Sequence, residues 1–254
     1  MHNQAIVAEA LALRGEGLGA RRIARRLDLP VATVRDWLAG RVPNHSRSSD
    51  GGVAAKLCGR CGQDAHRFDE LQSEYVYLFG LYLGDGNIAS HPRGVYRLRI
   101  TLDIRYPGII ESAKDAIHHI RNRNATAFRR RHQNCVDVSS YWRCWPCLLP
   151  QHGPGKKHER PIELTDWQIP LVERWPQDLL RGLIHSDGCR FQNTGTNWSS
   201  PRYRFDNVSA DIRGIFCDAC DRIGARWTTA GRTVVYVSRK ADVAKLDTFI
   251  GLKR

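Results

Sequence analysis

The chain has 254 residues, a formal net charge of +13, a pI near 9.7 and 42% hydrophobic residues. That length allows a sizeable core and two or three compact units, and the charge selects a polyanionic partner. No apolar run is long enough for a membrane span and the polar, charged N-terminus has no signal-peptide pattern, so the expected partner is nucleic acid and the expected location is cytoplasmic.

Residues 1–43 read as a small all-α domain. Ala5, Ile6, Ala8, Leu11 and Ala12 give one apolar helical face, Ile23, Ala24 and Leu27 a second, and Val31, Val34, Trp37 and Leu38 a third. Pro30 breaks the chain after Leu27-Asp28-Leu29 and starts the third helix. The stretch Gly15–Gly40 resembles the DNA-binding helix-turn-helix of bacterial regulators and recombinases. By that resemblance Val31–Ala39 is the recognition helix, with Ala32, Thr33 and Arg35 facing bases and Arg35 suited to guanine. Arg21, Arg22, Arg25 and Arg26 then contact phosphates, positioning without specifying. The plainer alternative is a three-helix cap with a solvated basic face.

Residues 44–72 are expected to be a linker with a candidate zinc knuckle. Asn44–Gly52 is polar, Gly/Ser-rich and aperiodic. Cys58-Gly-Arg-Cys61-Gly then begins as zinc knuckles do, since a tight turn aims both thiolates at one tetrahedral ion, and His66 follows closely. Leu71 stands where a retroviral-type knuckle would place its fourth ligand, so Cys144 and Cys147, another Cys-x-x-Cys pair, are candidates to complete a structural Zn²⁺ site. The rival is an exposed loop with two free thiols. In a chain without an export signal, the eight cysteines are expected as thiols or metal ligands before disulfides. A third pair, Cys217 and Cys220, falls on an amphipathic helix and reads as core packing.

The stretch Leu78-Phe-Gly-Leu-Tyr-Leu-Gly-Asp-Gly86 recurs as Leu180-Arg-Gly-Leu-Ile-His-Ser-Asp-Gly188. Read as helices, both copies carry small residues one turn apart, Gly80 with Gly84 and Gly182 with Ser186, on a face where two backbones can approach closely. Gly86 and Gly188 suit a left-handed helix end, which puts Asp85 and Asp187 at helix C-termini. A carboxylate there opposes the dipole at a cost of roughly 0.3–1 kcal/mol when exposed, and a pair held together repels. Such a pair calls for a cation, most simply Mg²⁺, which shares its oxygen shell with phosphate; that combination describes metal-assisted phosphodiester hydrolysis.

At these residues the chain resembles the LAGLIDADG family of homing endonucleases in its single-chain, two-motif form. The resemblance implies an α+β fold of two pseudo-symmetric αββαββα halves, residues 73–160 and 161–254, with the paired helices at their interface. It also implies Asp85 and Asp187 as catalytic Mg²⁺ ligands, and basic residues nearby that stabilise charge on the phosphate. Lys157, or its neighbour Lys156, is the candidate from the first half and Lys240 from the second. Leu83 and His185 stand where the family name has its first Asp, a variable position.

The rest of each half is compatible with that order. Tyr96–Asp103 alternates, with Leu98, Ile100 and Leu102 on one face and Arg97, Arg99 and Thr101 on the other. Arg202, Arg204 and Asp206 share a face in the second half. Such Arg-bearing faces suit a sheet laid in a DNA groove or, more plainly, a solvated antiparallel sheet. Helices are expected at 107–122 and 212–224, strands at 125–131, 135–139, 226–229 and 233–238, and a last helix at 241–250. Arg129, Arg130 and Arg131 extend the basic surface, and Pro150–Pro161 is a basic Gly/Pro-rich loop between the halves.

The expected function is a site-specific, Mg²⁺-dependent endonuclease of double-stranded DNA, monomeric with an internal pseudo-two-fold. The Met start and Lys-Arg end read as a free-standing protein rather than one embedded in an intein. The alternative is a non-cleaving helix-turn-helix/LAGLIDADG transcriptional regulator; both acids remain, which favours cleavage. A helix-turn-helix tail on an RNA-directed relative would keep the fold and shift the contacts.

Overall fold

The computed structural model describes residues 4–16, 18–40, 58–63, 66–251 and 253. Contacts divide the chain into two compact units, Met1–Ala55 and Lys56–Arg254.

In the first unit, α1 (Gln4–Gly15), α2 (Ala20–Arg26) and α3 (Val31–Leu38) close on a small core of Val7, Ala10, Leu13, Ile23, Ala24, Val34 and Trp37. The second and third faces are those expected. The first is rotated: Ala8, Leu11 and Ala12 are exposed, and Val7, Ala10 and Leu13 are buried instead. Alanines and leucines surround α1 on several sides, so periodicity alone does not choose its inner stripe. Asp28 turns the chain with φ 51°, and Pro30 stands directly before α3. The stretch 44–52 read as a linker lies outside the described residues.

The second unit runs α4 (Ser73–Asp85), β1 (Gly86–His91), β2 (Val95–Asp103), α5 (Pro107–Arg121), β3 (Thr126–Arg129), β4 (Cys135–Trp142) and α6 (Trp145–Leu148). After a loop it repeats: α7 (Gln168–Arg174), α8 (Pro176–Asp187), β5 (Gly188–Gly195), β6 (Trp198–Asp206), α9 (Ala210–Arg222), β7 (Thr228–Ala230), β8 (Val234–Val237) and α10 (Lys240–Ile250). Two four-stranded antiparallel sheets result, ordered β1-β2-β4-β3 and β5-β6-β8-β7. Their registers correspond: Gly86 pairs with Ile100 and Ile100 with Val138, as Gly188 pairs with Phe205 and Phe205 with Val235. The αββαββα order, twice, is the order that the resemblance of the repeated motif implied.

The pleat explains which face packs. Leu98, Ile100 and Leu102 of β2 and Tyr203 and Phe205 of β6 are buried, while Arg97, Arg99, Thr101, Arg202, Arg204 and Asp206 lie on the opposite faces. One apolar cluster runs from these strands through α4, α5, α8, α9 and α10. Both cysteines of α9, Cys217 and Cys220, are buried in it. Strands β1 and β5 have no clean alternation, since in β1 only Gly86 and Ile88 are buried, and periodicity passes over them. The closing helix of the first half is the single turn α6, whereas α10 has 11 residues.

The halves meet along α4 and α8. A β-carbon on Gly80 would stand 2.7 Å from the Leu179 carbonyl oxygen and 2.9 Å from Gly182 Cα, so the two backbones touch where both sequences are glycine. Gly86 and Gly188 have a different reason from the one expected. Their φ values, −87° and −110°, are extended rather than left-handed. What each lacks room for is a side chain: a β-carbon would meet Tyr82 Cα at 2.5 Å or Ile184 Cα at 2.7 Å.

Candidate active site at the helix seam

α4 and α8 both end on an aspartate, with the chain passing directly into a strand. Because the helices pack so closely, their last turns bring Asp85 and Asp187 to the same end of the seam. The Asp187 carboxylate lies against Gly84, where a β-carbon would stand 3.0 Å from its Oδ2. Both acids are half-buried. Burial, and next the Asp187 carboxylate, push the Asp85 carboxyl up to about 7, against the pull of the Lys157 and Lys253 ammonium groups. Asp187 is also raised by burial, opposed first by Asn207, whose Nδ2–H donates to Oδ2 at 2.6 Å.

Two lysines serve the seam from corresponding sides. Lys157, in the short 3₁₀ turn Lys157–Glu159, donates to the carbonyls of Tyr82, Leu83 and Gly84, at 2.8 Å and 2.9 Å for the latter two. Lys253 donates to the Gly188 carbonyl at 2.5 Å and the Ser186 carbonyl at 3.4 Å. Each ammonium thus satisfies carbonyls around the end of one motif helix, the negative end of its dipole. Burial lowers the Lys157 amine to about 8 while Asp187 and Asp85 pull it back up. Burial lowers Lys253 as well, with Asp85 the first group opposing it.

Lys157 is therefore where the sequence reading put a basic residue, and Lys240 is not. Lys240 is exposed at the first position of α10, and the amine at the second acid's end is Lys253, beyond that helix. No motif marks Lys253; only the way α10 returns the chain to α8 brings it there. Asn207 was missed for a similar reason. It follows β6, two residues past the Gly188 partner Phe205. By register the first half has buried Leu102 at that place, so among the described residues the position equivalent to Asn207 offers Asp85 no amide.

On the outer sheet faces, Arg97 donates to Ser139 Oγ at 2.9 Å and Arg204 pairs with Asp206 at 2.6 Å. The Arg202 guanidinium lies 5.9 Å from the Tyr236 ring centre, and Arg99 shares the Arg97 face. Arg130 is tied to Asp137 at 2.9 Å. In the first unit Arg21, Arg22, Arg25, Arg26 and Arg35 are exposed, and Thr33 is half-buried.

Away from the seam, the first two Cys-x-x-Cys pairs come together. The ligand atoms of Cys58, Cys61, His66 and Cys147 lie within 4.8 Å of one another, and Cys144 Sγ lies 3.7 Å from Cys61 Sγ. All these thiols are free. The Cys61 and Arg60 backbone N–H groups turn toward the Cys58 sulfur and hold its thiol below the ordinary range. Burial, then the thiol opposite, pushes Cys144 and Cys147 up to about 12. No described helix is long and apolar enough to cross a membrane.

No family model matches the sequence, and no curated protein matches it. Solved structures similar to this chain include LAGLIDADG homing endonucleases and the LAGLIDADG domain of WhiA. The N-terminal LAGLIDADG domain of DUF199/WhiA is 10% identical with a TM-score of 0.45, over 72% of this chain and 84% of that one. The LAGLIDADG meganuclease I-AabMI bound to uncleaved DNA is 14% identical, TM-score 0.44, over 69% and 82%. I-DmoI in complex with DNA and Mn is 15% identical, TM-score 0.44, over 70% and 96%.

Proposed function

We propose that the chain is a site-specific, divalent-metal-dependent endonuclease of double-stranded DNA. The observation that carries this reading is the convergence of Asp85 and Asp187 at the end of one seam, with Lys157 and Lys253 beside them. Two crowded carboxylates held short of water are a poor arrangement for their own sake and a good oxygen donor set for a hard cation. Asp85 and Asp187 would hold Mg²⁺, and the ion would supply a water of lowered pKa and positive charge against the leaving oxygen.

The chain's own groups do the rest. Lys157 and Lys253 are fixed by backbone carbonyls, so their positive charge is already in place when a phosphate arrives. The outer faces bearing Arg97, Arg99, Arg202 and Arg204 take the duplex on either side of the seam, and α3 reads bases through Thr33 and Arg35 while Arg21, Arg22 and Arg25 hold phosphates. In this reading residues 1–43 are a helix-turn-helix domain, 44–72 a linker with a knuckle, and 73–160 and 161–254 the catalytic halves. A monomer suffices, since one chain supplies both acids. The reading holds a second metal, zinc at Cys58, Cys61 and His66, remote in chemistry from the acids because thiolate and imidazole suit a softer ion.

A non-cleaving DNA-binding regulator is the second reading, and one observation favours it: Lys157 and Lys253 stand beside the paired acids and oppose the rise of both carboxyls without any ion. The deciding experiment incubates the protein, Asp85→Ala and Asp187→Ala with a pool of duplex DNA and Mg²⁺ and maps both bound sites and ends. Metal-dependent ends from the parent that disappear in both variants support the nuclease. Equal binding by all three with no ends from the parent leaves the regulator.

A further inference from the structure

Zinc bound tetrahedrally, with Zn–S of about 2.3 Å and Zn–N of about 2.0 Å, requires S···S edges of about 3.8 Å and S···N edges of about 3.5 Å. Cys58 Sγ and Cys147 Sγ are 3.8 Å apart, and Cys61 Sγ and His66 Nε2 are 3.4 Å apart. Both elements that present these sulfurs are preshaped. On one side Cys58 N–H donates to the Gln63 carbonyl and Gly62 N–H to the Cys58 carbonyl, each at 2.8 Å, and Gly62 turns at φ 66°. This is the tight knuckle that aims Cys58 and Cys61 the same way. On the other, Cys147 N–H donates to the Cys144 carbonyl at 2.9 Å at the start of α6, which turns Cys147 toward the knuckle.

We propose that Cys147 completes the zinc site begun by Cys58, Cys61 and His66, so that one ion fastens the 58–66 segment to α6 at the far end of the first half. This rests on the zinc part of the functional reading and goes further: the missing fourth ligand comes from 89 residues beyond the knuckle. The site is closed, because three thiolates and one imidazole fill a tetrahedral shell and leave no place for water. Its work is therefore structural. It closes a long loop around the whole first sheet, a cross-link that acts by restricting the unfolded chain. It also explains how a half whose last helix is only the single turn α6 secures its end. Cys144 lies 3.7 Å from the Cys61 sulfur, but the ligand atoms that all lie within 4.8 Å of one another are those of Cys58, Cys61, His66 and Cys147, so Cys144 packs against the site as a neighbouring thiol.

The test measures zinc in full-length protein purified with a reductant, alongside Cys147→Ser, Cys144→Ser and Cys217→Ser. The parent should hold one zinc per chain, Cys147→Ser should lose most of it, and the other two should keep it. Cobalt loaded in place of zinc should show the visible bands of tetrahedral thiolate coordination in the parent and lose intensity in Cys147→Ser. Should Cys147→Ser fold poorly, chelation of the parent tests the cross-link instead: it should lower the Tm and speed proteolysis both within residues 58–63 and at α6, and an α6 that stays protected while the knuckle is cut overturns the ligand from that helix. A parent without zinc, or with its thiols paired as disulfides, removes zinc from the functional reading altogether. Full zinc in Cys147→Ser, or its loss in Cys144→Ser, overturns this ligand set while leaving a zinc protein.

Discussion

Gly80 and Gly182 face each other across the α4–α8 seam so closely that a β-carbon built on either would stand 2.9 Å from the other's Cα. Glycine inside a helix ordinarily costs about 1 kcal/mol relative to alanine, so Gly→Ala is often stabilising. Here the sign reverses, because the atoms met are backbone and cannot swing aside. Gly182→Ala should destabilise by about 3 kcal/mol, at the upper end of overpacking costs. Gly214→Ala, on α9 with nothing within 4 Å of the added carbon, should gain a few tenths to about 1 kcal/mol. Urea unfolding of both variants checks this, and equal midpoints would contradict the close seam.

Asp85 should make the metal-free protein sensitive to pH. Its carboxyl is raised from 3.8 to about 7, so between those values the unfolded chain has released the proton that the folded chain keeps. Stability from this group is therefore present at low pH and lost as pH rises toward 7. Asp85→Asn should be more stable than the parent at pH 8, by on the order of 2 kcal/mol, and equal to it near pH 4. The same proton competes with the ion, so Mg²⁺ affinity should fall about tenfold per pH unit below 7. Chelator-treated protein melted across pH, with Mg²⁺ titrations, measures both.

The motif helices, the two halves and the alternating Arg faces were legible because each rests on local spacing: small residues a turn apart, an Asp-Gly end, a period of two in β2. What escaped depends on return of the chain from a distance. Lys253 reaches α8 only because α10 packs there, and Asn207 meets Asp187 only through sheet register; Cys147 was already a candidate, and only the folded first half selects it over Cys144. Strand β1 escaped because, apart from its opening Gly86, it buries only Ile88, too little to set a period. The inner face of α1 was misjudged for the opposite reason, an excess of small apolar residues.

His185, in the last turn of α8, ties the seam to the end of α10. Its Nδ1 and the Tyr77 hydroxyl are 3.0 Å apart, and its Nε2 and the Ile250 carbonyl are also 3.0 Å apart. An imidazole between a carbonyl and a hydroxyl is neutral when Nε2–H donates to Ile250 and Nδ1 accepts from Tyr77. Burial, then Arg181, lowers it to about 4. The unfolded chain takes up the proton first, near 6.5, so this group's stability is full above that value and lost as pH falls toward 4. His185→Leu should cost about 1–3 kcal/mol at pH 7 and flatten the acid limb between pH 6.5 and 4. It should also loosen the Lys253 tail, read as faster hydrogen exchange after Ile250.

Asp206 shares the outer face of β6 with Arg202 and Arg204, and its carboxylate pairs with Arg204 at 2.6 Å. With both partners about two-fifths exposed, at 43% and 40%, the pair is a surface one and contributes little to stability, between about 0 and 1 kcal/mol. In the proposed DNA-binding role its larger effect is on affinity, since a phosphate would meet Arg204 already paired with Asp206. Asp206→Asn should therefore leave urea unfolding within that small range while tightening binding to random duplex DNA and steepening its salt dependence by about one charge. Arg99→Ala, on the corresponding face of β2, should weaken binding across sequences alike and make the slope shallower by a similar amount. Affinities measured from low to physiological salt give both slopes. If neither variant shifts its slope, the sheet faces are solvated and the duplex is held elsewhere.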